Sequence, residues 1–490
     1  MAEFDRRTVL TNAVLFGAAL SAPLAGCKKP EADGTVTFPK NFMWGTATSS
    51  YQIEGSTNVD GRGVSIWDTY AKTPGKIKDG KNGDVACDSY VRWREDIALI
   101  KSLGLKSYRF SIAWPRIQAD GMGATNQKGL DYYKNLIDGL LETGIRPLPT
   151  MYHWDLPQAL QDKGGWPARD TADRFADYAT ILVKALGDRT PDWCVFNEPS
   201  AFTGAGHMDG IHAPGLKNKE LFLRATHTVN RAYGLTDRAV KAQRPDIQLS
   251  NAINMSPAYA ASDSAEDMAA TKRFDAYVNM WFAQTSQTGQ YPEGVLPADQ
   301  LRALLNYLPE DEAILKAPYD WIGINYYTPF RVSADPTATH PFLTGVKAEW
   351  AVAPVADAPK NDIGWQIHPV GLSDVLKHMH KLVGDIPFEV LENGGAFNEV
   401  PDANGRIKDQ RRIDFLDTHL RAVADAIAAG VPVRAYHLWS LMDNFEWGEG
   451  YTQRFGMVYV DFENGQKRMP KDSAAWYAKV AERNGLVKVR

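Results

Sequence analysis

Five short apolar runs in this chain stop at a polar cluster, and two of those clusters carry a glutamate: Val195-Phe196-Asn197-Glu198-Pro199 and Glu389-Val390-Leu391-Glu392-Asn393-Gly394. The others are Met151-Tyr152-His153-Trp154-Asp155, Ile324-Asn325-Tyr326-Tyr327 and His437-Leu438-Trp439-Ser440. An apolar run of this length bounded by turn formers reads as a strand buried on both faces, as in parallel sheets. In a closed parallel barrel all carboxyl ends gather on one face, so the five clusters would meet over one pocket. Read singly, each has a plainer account: Glu before Pro often starts a helix, and Glu-Asn-Gly makes a good turn.

Eight strand candidates follow one another along the chain: Phe42–Ala47, Ser107–Ile112, Arg146–Tyr152, Trp193–Glu198, Gln248–Ile253, Trp321–Asn325, Phe388–Glu392 and Val433–Trp439. Amphipathic stretches separate them, for example Tyr90, Trp93, Ile97 and Ile100 at helical spacing before Gly104. Strands alternating with helical crossovers predict an α/β chain, a single (β/α)8 TIM barrel with long βα loops. No Gly-x-Gly-x-x-Gly opens a helix after the first strand, which removes the main support for a doubly wound nucleotide-binding sheet. Long connections at about 200–219 and 330–365 are expected to decorate the barrel mouth.

A net charge of −5 with no basic run argues against nucleic acid as a partner. Ten histidines without His-Glu-x-x-His and three cysteines without Cys-x-x-Cys suggest neither a zinc site nor a redox pair, so no metal or cofactor is expected. Cys87 and Cys194 read as small buried residues. The 14 tryptophans are enough to supply both a core and faces on which sugars stack.

The first residues differ in kind. Asp5-Arg6-Arg7-Thr8-Val9-Leu10 precedes a weakly apolar stretch that ends at Leu24-Ala25-Gly26-Cys27. Residues 1–26 resemble a twin-arginine export signal, and the last tetrad resembles a lipoprotein box with Cys27 as the lipidated residue. The expected division is a signal at 1–26, a polar tether at 27–37 and a catalytic domain at 38–490, working in the periplasm, with membrane attachment through Cys27. A soluble periplasmic enzyme cut after Ala25 and an uncleaved cytoplasmic tail remain alternatives.

Cleaving an acetal needs an acid to protonate the leaving oxygen and a carboxylate to attack the anomeric carbon or activate water. Glu198 and Glu392 are candidates for that pair, and Arg109 and Tyr327 could keep one of them ionised. Alone, Arg109 fits a structural salt bridge equally well, His153 a buried imidazole, and the tryptophans core packing.

From Phe38 nearly to its end the chain resembles a β-glucosidase of glycoside hydrolase family 1. The resemblance is carried by Phe42 to Gly55, Tyr108 to Arg116, His153-Trp154-Asp155-Leu156-Pro157, Asn197-Glu198-Pro199, Asn325-Tyr326-Tyr327, Glu392-Asn393-Gly394 and Trp439 to Trp447. It implies a retaining exo-acting enzyme with Glu198 as acid/base and Glu392 as nucleophile, carboxyl groups about 5–5.5 Å apart, and Arg109, Asn325 and Tyr327 in support. It further implies that Asn197 holds the sugar 2-hydroxyl, that Gln52, His153, Trp154, Glu446 and Trp447 bind the other hydroxyls, that Trp439 is the stacking floor and that Trp365 lines the aglycone side. The implied partners are small β-glucosides or cello-oligosaccharides.

Leu391 stands where the family usually has Thr, and strand alternation should turn it away from the pocket. Relatives that take 6-phosphoglycosides typically carry Ser, Lys and Tyr where this chain has Glu446, Gln453 and Phe455, which implies unphosphorylated sugars. Glu198 in place of the Gln of thioglucosidases favours O-glycosides. A β-galactosidase, β-fucosidase or transglycosylase emphasis is the alternative among enzymes. A sugar-binding barrel without turnover is the alternative outside them.

Overall fold

The computed structural model describes residues 34–339, 342–349 and 358–487. Arg6, Arg7 and Cys27, with the signal and lipidation readings attached to them, lie outside the described residues. Eight parallel strands close a barrel in chain order: β1 (Met43–Ala47), β2 (Ser107–Ser111), β3 (Arg146–Tyr152), β4 (Asp192–Asn197), β5 (Gln248–Asn254), β6 (Ile322–Tyr326), β7 (Phe388–Asn393) and β8 (Val433–Trp439), with β8 pairing back to β1. All eight expected strands are present, with ends displaced by at most one residue. The crossover helices include α1 (Ser89–Ser102), α2 (Gln127–Glu142), α3 (Thr171–Leu186) and α4 (Lys219–Gln243). In α3 the buried side chains Phe175, Ala179, Leu182, Val183 and Leu186 recur at the helical period and form the stripe that covers the barrel.

Two residues expected in the tether belong to the fold. Val36–Thr37 pairs antiparallel with Gly485–Leu486, and Val36 is buried. The pairing ties residues 36–37 to residues 485–486 and satisfies backbone groups that a tether would leave to water. The connection after β6 is also less irregular than expected. Phe330–Ala334 joins Val346–Glu349 and Ala258–Ala260 in a small three-stranded sheet beside the barrel mouth.

Inward residues alternate along each strand. Near the strand starts, Arg146, Asp192, Glu389 and Arg434 form a buried ring of four charges. Arg146 donates to both oxygens of Glu389 at 3.0 Å and to Asp192 at 2.8 Å, while Arg434 Nε donates to Glu389 at 2.7 Å. Burial alone would push the Glu389 carboxyl up, but the Arg146 and Arg434 guanidiniums hold it down at about 2. Its contribution to stability is therefore present above the ordinary glutamate value of 4.5 and is lost as pH falls from there through about 2. Glu389→Leu leaves two buried guanidiniums short of a counter-charge and should cost about 3–5 kcal/mol. Denaturant midpoints at neutral pH check this, and an unchanged midpoint would show that the ring does not hold the barrel closed.

Two residues further along, Leu148, Cys194 and Leu391 turn inward and pack with Ala252 and Trp321 in an apolar cluster separate from the helix-facing core. Strict alternation would then carry Phe196 and Asn393 into the barrel. Register shifts intervene instead, between Cys194 and Asn197 in β4 and between Val390 and Glu392 in β7. Phe196 consequently faces outward, stacked 4.4 Å from Phe175 of α3. Such bulges re-aim side chains, and here they lie immediately before the two glutamates. Leu391 lies off the pocket as expected, but beneath it inside the barrel rather than on the helix side.

Candidate active site

Glu198 is the first residue past β4 and Glu392 the penultimate residue of β7, so both stand at the carboxyl-end face. Glu198 takes left-handed backbone angles (φ 47°), donates its N–H to Ala252 O at 2.9 Å and is followed by Pro199 at the first position of a short helix. Trp154 (φ 79°) and Trp447 (φ 47°) also have positive φ. Each such residue costs about 1–3 kcal/mol, and three of them line one cavity.

One hydrogen-bonded chain links the two acids. Arg109 of β2, fully buried, donates to Glu392 Oε1 through Nη1, to Asn197 Oδ1 through Nη2 at 2.7 Å and to Thr150 through Nε at 3.1 Å. Tyr327 OH donates to Glu392 Oε2 at 2.6 Å. Asn325 Nδ2 donates to Asn197 Oδ1 at 3.0 Å and to Glu198 Oε1 at 2.8 Å. With its oxygen committed to two donors, the Asn197 amide must present its nitrogen to His153 Nε2 at 3.0 Å. His153 Nε2 is then an acceptor and Nδ1 carries the proton. Burial, reinforced by the Arg109 charge, holds the imidazole well below its ordinary value and therefore neutral.

The two carboxyls are not equivalent. Burial raises Glu198, the negative charge of Glu392 raises it further, and the Asn325 bond offsets only part, leaving it at about 8. Burial also raises Glu392, but the Arg109 charge and the Tyr327 and Arg109 hydrogen bonds pull the other way. The repulsion between the two carboxylates is mutual, and because the Arg109 guanidinium and the Tyr327 hydroxyl bond Glu392 while Glu198 has only the Asn325 amide, Glu392 is the one that ionises first.

A cavity of about 1040 Å³ opens over the pair and is lined by His153, Trp154, Asn197, Glu198, Tyr327, Trp365, Glu392, Trp439, Glu446 and Trp447, among others. The His153 ring lies stacked 5.8 Å from Trp439, and Trp154 sits 4.5 Å from Trp447. Burial and the charges of Glu392 and Glu198 push Glu446 up to about 8. His153 Nδ1 and Glu446 Oε2 are buried and have no hydrogen-bond partner among the described residues. Trp365 stands 5.4 Å from Tyr327 and 6.0 Å from Phe455.

Arg109, Asn325 and Gln52 do not line the cavity. Arg109 and Asn325 stand directly behind it, each bonded to an acid. Gln52 is fully buried, with Nε2 donating to Asn444 Oδ1 at 3.0 Å and Phe445 O at 2.9 Å and Oε1 accepting from Ser49 at 2.6 Å. Thr150, Asn444 and Ser49 were not singled out in the sequence. Thr150 lies inside β3, the strand that ends just before His153, and an inward hydroxyl in an apolar run was its available signal.

The sequence profile of Glycosyl hydrolase family 1 matches residues 34–486. "Beta-glucosidase A" of Acetivibrio thermocellus is 44% identical over 452 residues, covering 92% of this chain and 99% of that protein. "Beta-glucosidase A" of Thermotoga maritima is 44% identical over 454 residues, covering 92% and 98%. The solved structure of the "Family 1 b-glucosidase from Thermotoga maritima" superposes with a TM-score of 0.86 at 43% identity, covering 92% of this chain and 99% of that one. The solved structure of the "Beta-glucosidase from Thermotoga maritima in complex with glucoimidazole" superposes with a TM-score of 0.85 at 43% identity, covering 92% of this chain and 100% of that one.

Proposed function

The chain belongs to glycosyl hydrolase family 1 and is a retaining β-glucosidase, and from that premise we propose that Glu392 is its nucleophile and Glu198 its acid/base. The observation that carries the assignment is the asymmetry of the pair. Glu392 is the carboxylate held by Arg109 and Tyr327, whereas Glu198 has no cation bonded to it and faces the charge of Glu392. Glu392 attacks the anomeric carbon while Glu198 delivers its proton to the departing oxygen, leaving a glycosyl ester on Glu392. Glu198, now ionised, takes a proton from water that attacks the same carbon, and the ester breaks with net retention. Asn197, positioned by Arg109 and Asn325, is placed for the sugar 2-hydroxyl. His153 Nδ1–H and the Glu446 carboxyl supply a donor and an acceptor for other hydroxyls, and Trp439 supplies a face for the ring.

The sugar is unphosphorylated in this reading. A 6-phosphate beside Glu446 would add negative charge next to three acidic groups. The Gln453 amide that could meet it already bonds Asn398 at 3.2 Å and Glu449 at 3.4 Å. Purified protein should hydrolyse an aryl β-glucoside and act on its 6-phosphorylated counterpart with kcat/KM lower by about 10²-fold or more, the penalty of roughly 3 kcal/mol expected of an unpaired buried charge. Comparable values for the two substrates would overturn the specificity, and no turnover of either would favour the binding barrel.

Export belongs to the same proposal. Arg6-Arg7, the mildly apolar stretch after it and Leu24-Ala25-Gly26-Cys27 support a twin-arginine signal with a lipidated Cys27 and a periplasmic barrel. Mass spectrometry of the mature N-terminus after cell fractionation checks it. Acylated Cys27 in the membrane fraction is the expected result, a free N-terminus in the periplasm would leave export without the anchor, and an intact Met1 in the cytosol would defeat both.

A further inference from the structure

The cavity over Glu198 and Glu392 is larger than one sugar ring requires. At about 1040 Å³ it reaches the upper end of the roughly 300–1,000 Å³ typical of small-ligand sites. The polar groups described above occupy only one part of it. Beyond Glu198 the same cavity continues into a chamber walled by Met208, Phe222, Phe274, Tyr277, Trp281 and Phe282. Phe222 comes from α4, and the last four come from the helices Ala265–Val278 and Met280–Thr288 between β5 and β6. Phe222 stands 6.3 Å from Tyr277, Phe274 stands 4.9 Å from Phe330, and Phe222, Phe274, Trp281 and Phe282 are all buried against the core.

The facing wall is made small. The helix Pro199–Thr203 that follows Glu198, and the π-helical turn Gly204–Asp209 after it, present Ala201, Gly204 and Ala205 to the cavity. Gly204 has ordinary right-handed helical angles (φ −64°, ψ −61°), so conformation does not demand a glycine there. A Cβ at Gly204 would meet nothing within 4 Å. The missing side chain therefore contributes open space, between the acid/base and the aromatic wall.

We infer that this chamber is the aglycone site for apolar alkyl or aryl groups, and that the enzyme selects β-glucosides of hydrophobic alcohols over cello-oligosaccharides. The inference rests on the glucosidase reading above. A second glucosyl unit placed here would bring hydroxyls that need partners in exchange for water, against a wall made mostly of carbon. The polar residues that share this lining are few, Ser200, Asp209, Asn254 and Ser256, and the Ser256 backbone is already committed: its N–H donates to Asn279 Oδ1 at 2.9 Å, and the Asn279 amide returns a bond of 2.9 Å to Ser256 O. An alkyl or aryl aglycone has no such requirement and gains affinity with every group removed from water. Leaving through the proton donor at Glu198, the alcohol would depart along the chamber in which its apolar body sits.

The test is kcat/KM of the full chain on methyl, butyl and octyl β-glucosides and on cellobiose and cellotriose. Full burial of a methylene corresponds to about fourfold in affinity, so even partial burial should raise kcat/KM by about 30-fold or more from methyl to octyl. Cellotriose should not exceed cellobiose. Gly204→Leu should lower the octyl-to-methyl ratio by about tenfold, with Gly204→Ala intermediate. The alkyl series on the unaltered protein decides the matter if the leucine variant does not fold. A flat alkyl series, cellotriose turned over better than octyl glucoside, or equal losses on methyl and octyl glucoside in Gly204→Leu would overturn the inference. Failure on every glucoside, methyl included, would instead overturn the glucosidase reading beneath it.

Discussion

Glu392→Ala should lose activity on the order of 10⁴-fold or more, because no other group on that face can form the glycosyl ester and the reaction loses its first step. Arg109 and Tyr327, which bond the two carboxylate oxygens, would remain around the space left behind. A small anion should enter it. Added azide is expected to restore turnover of an activated aryl glucoside and to give the α-glucosyl azide, inverted because azide attacks from the side Glu392 occupied. If the variant kept more than a few per cent of activity, or if the azide product were the β anomer, Glu392 would not be the attacking group.

Glu198→Ala should separate substrates by their leaving groups. An alkyl glucoside or cellobiose, whose alcohol must be protonated to depart, is expected to lose about 10²–10⁴-fold in kcat/KM. A dinitrophenyl glucoside should lose far less, since its phenolate departs without help and kcat/KM reports only steps up to its departure. Azide should here give the β anomer, opposite to the Glu392 variant. In the unaltered enzyme the same group sets the alkaline limb: activity falls as pH rises through about 8, where the free enzyme's Glu198 gives up its proton. Equal losses on all leaving groups would reduce Glu198 to a structural role.

Much of this arrangement is legible in the linear chain. The eight apolar runs are continuous enough to read as doubly buried strands, and the polar residues at their ends fall together because parallel closure puts every strand end on one face. What could not be read is what depends on register. Strict alternation gives Phe196 and Leu391 the same inward parity as Cys194 and Glu389, and nothing in Cys194-Val195-Phe196-Asn197 announces the bulge that turns Phe196 out. Gln52 falls within a matching segment, yet its amide nitrogen is committed to Asn444 and Phe445, contacts that span 392 and 393 residues and exist only after closure, while its oxygen accepts locally from Ser49. The charge ring was within reach, since Arg146, Asp192, Glu389 and Arg434 each occupy the first or second position of a strand that is otherwise mostly apolar. Four charges at one level of a closed barrel can only pair with each other. The aglycone chamber was not within reach, because most of its walls come from helices between β5 and β6 whose aromatic residues look in sequence like ordinary core.

The most direct test of the account is to trap the intermediate. A 2-deoxy-2-fluoro-β-glucoside with a good leaving group should inactivate the protein by forming a glycosyl ester that turns over slowly, since fluorine at C2 destabilises the oxocarbenium-like transition state and removes the 2-hydroxyl contact. Peptide mass spectrometry of the inactivated protein should place a single fluoroglucosyl adduct on Glu392, in the peptide containing Val390-Leu391-Glu392-Asn393. An adduct on Glu198, on Glu446 or on any other residue, or saturable binding with no covalent adduct, would contradict it.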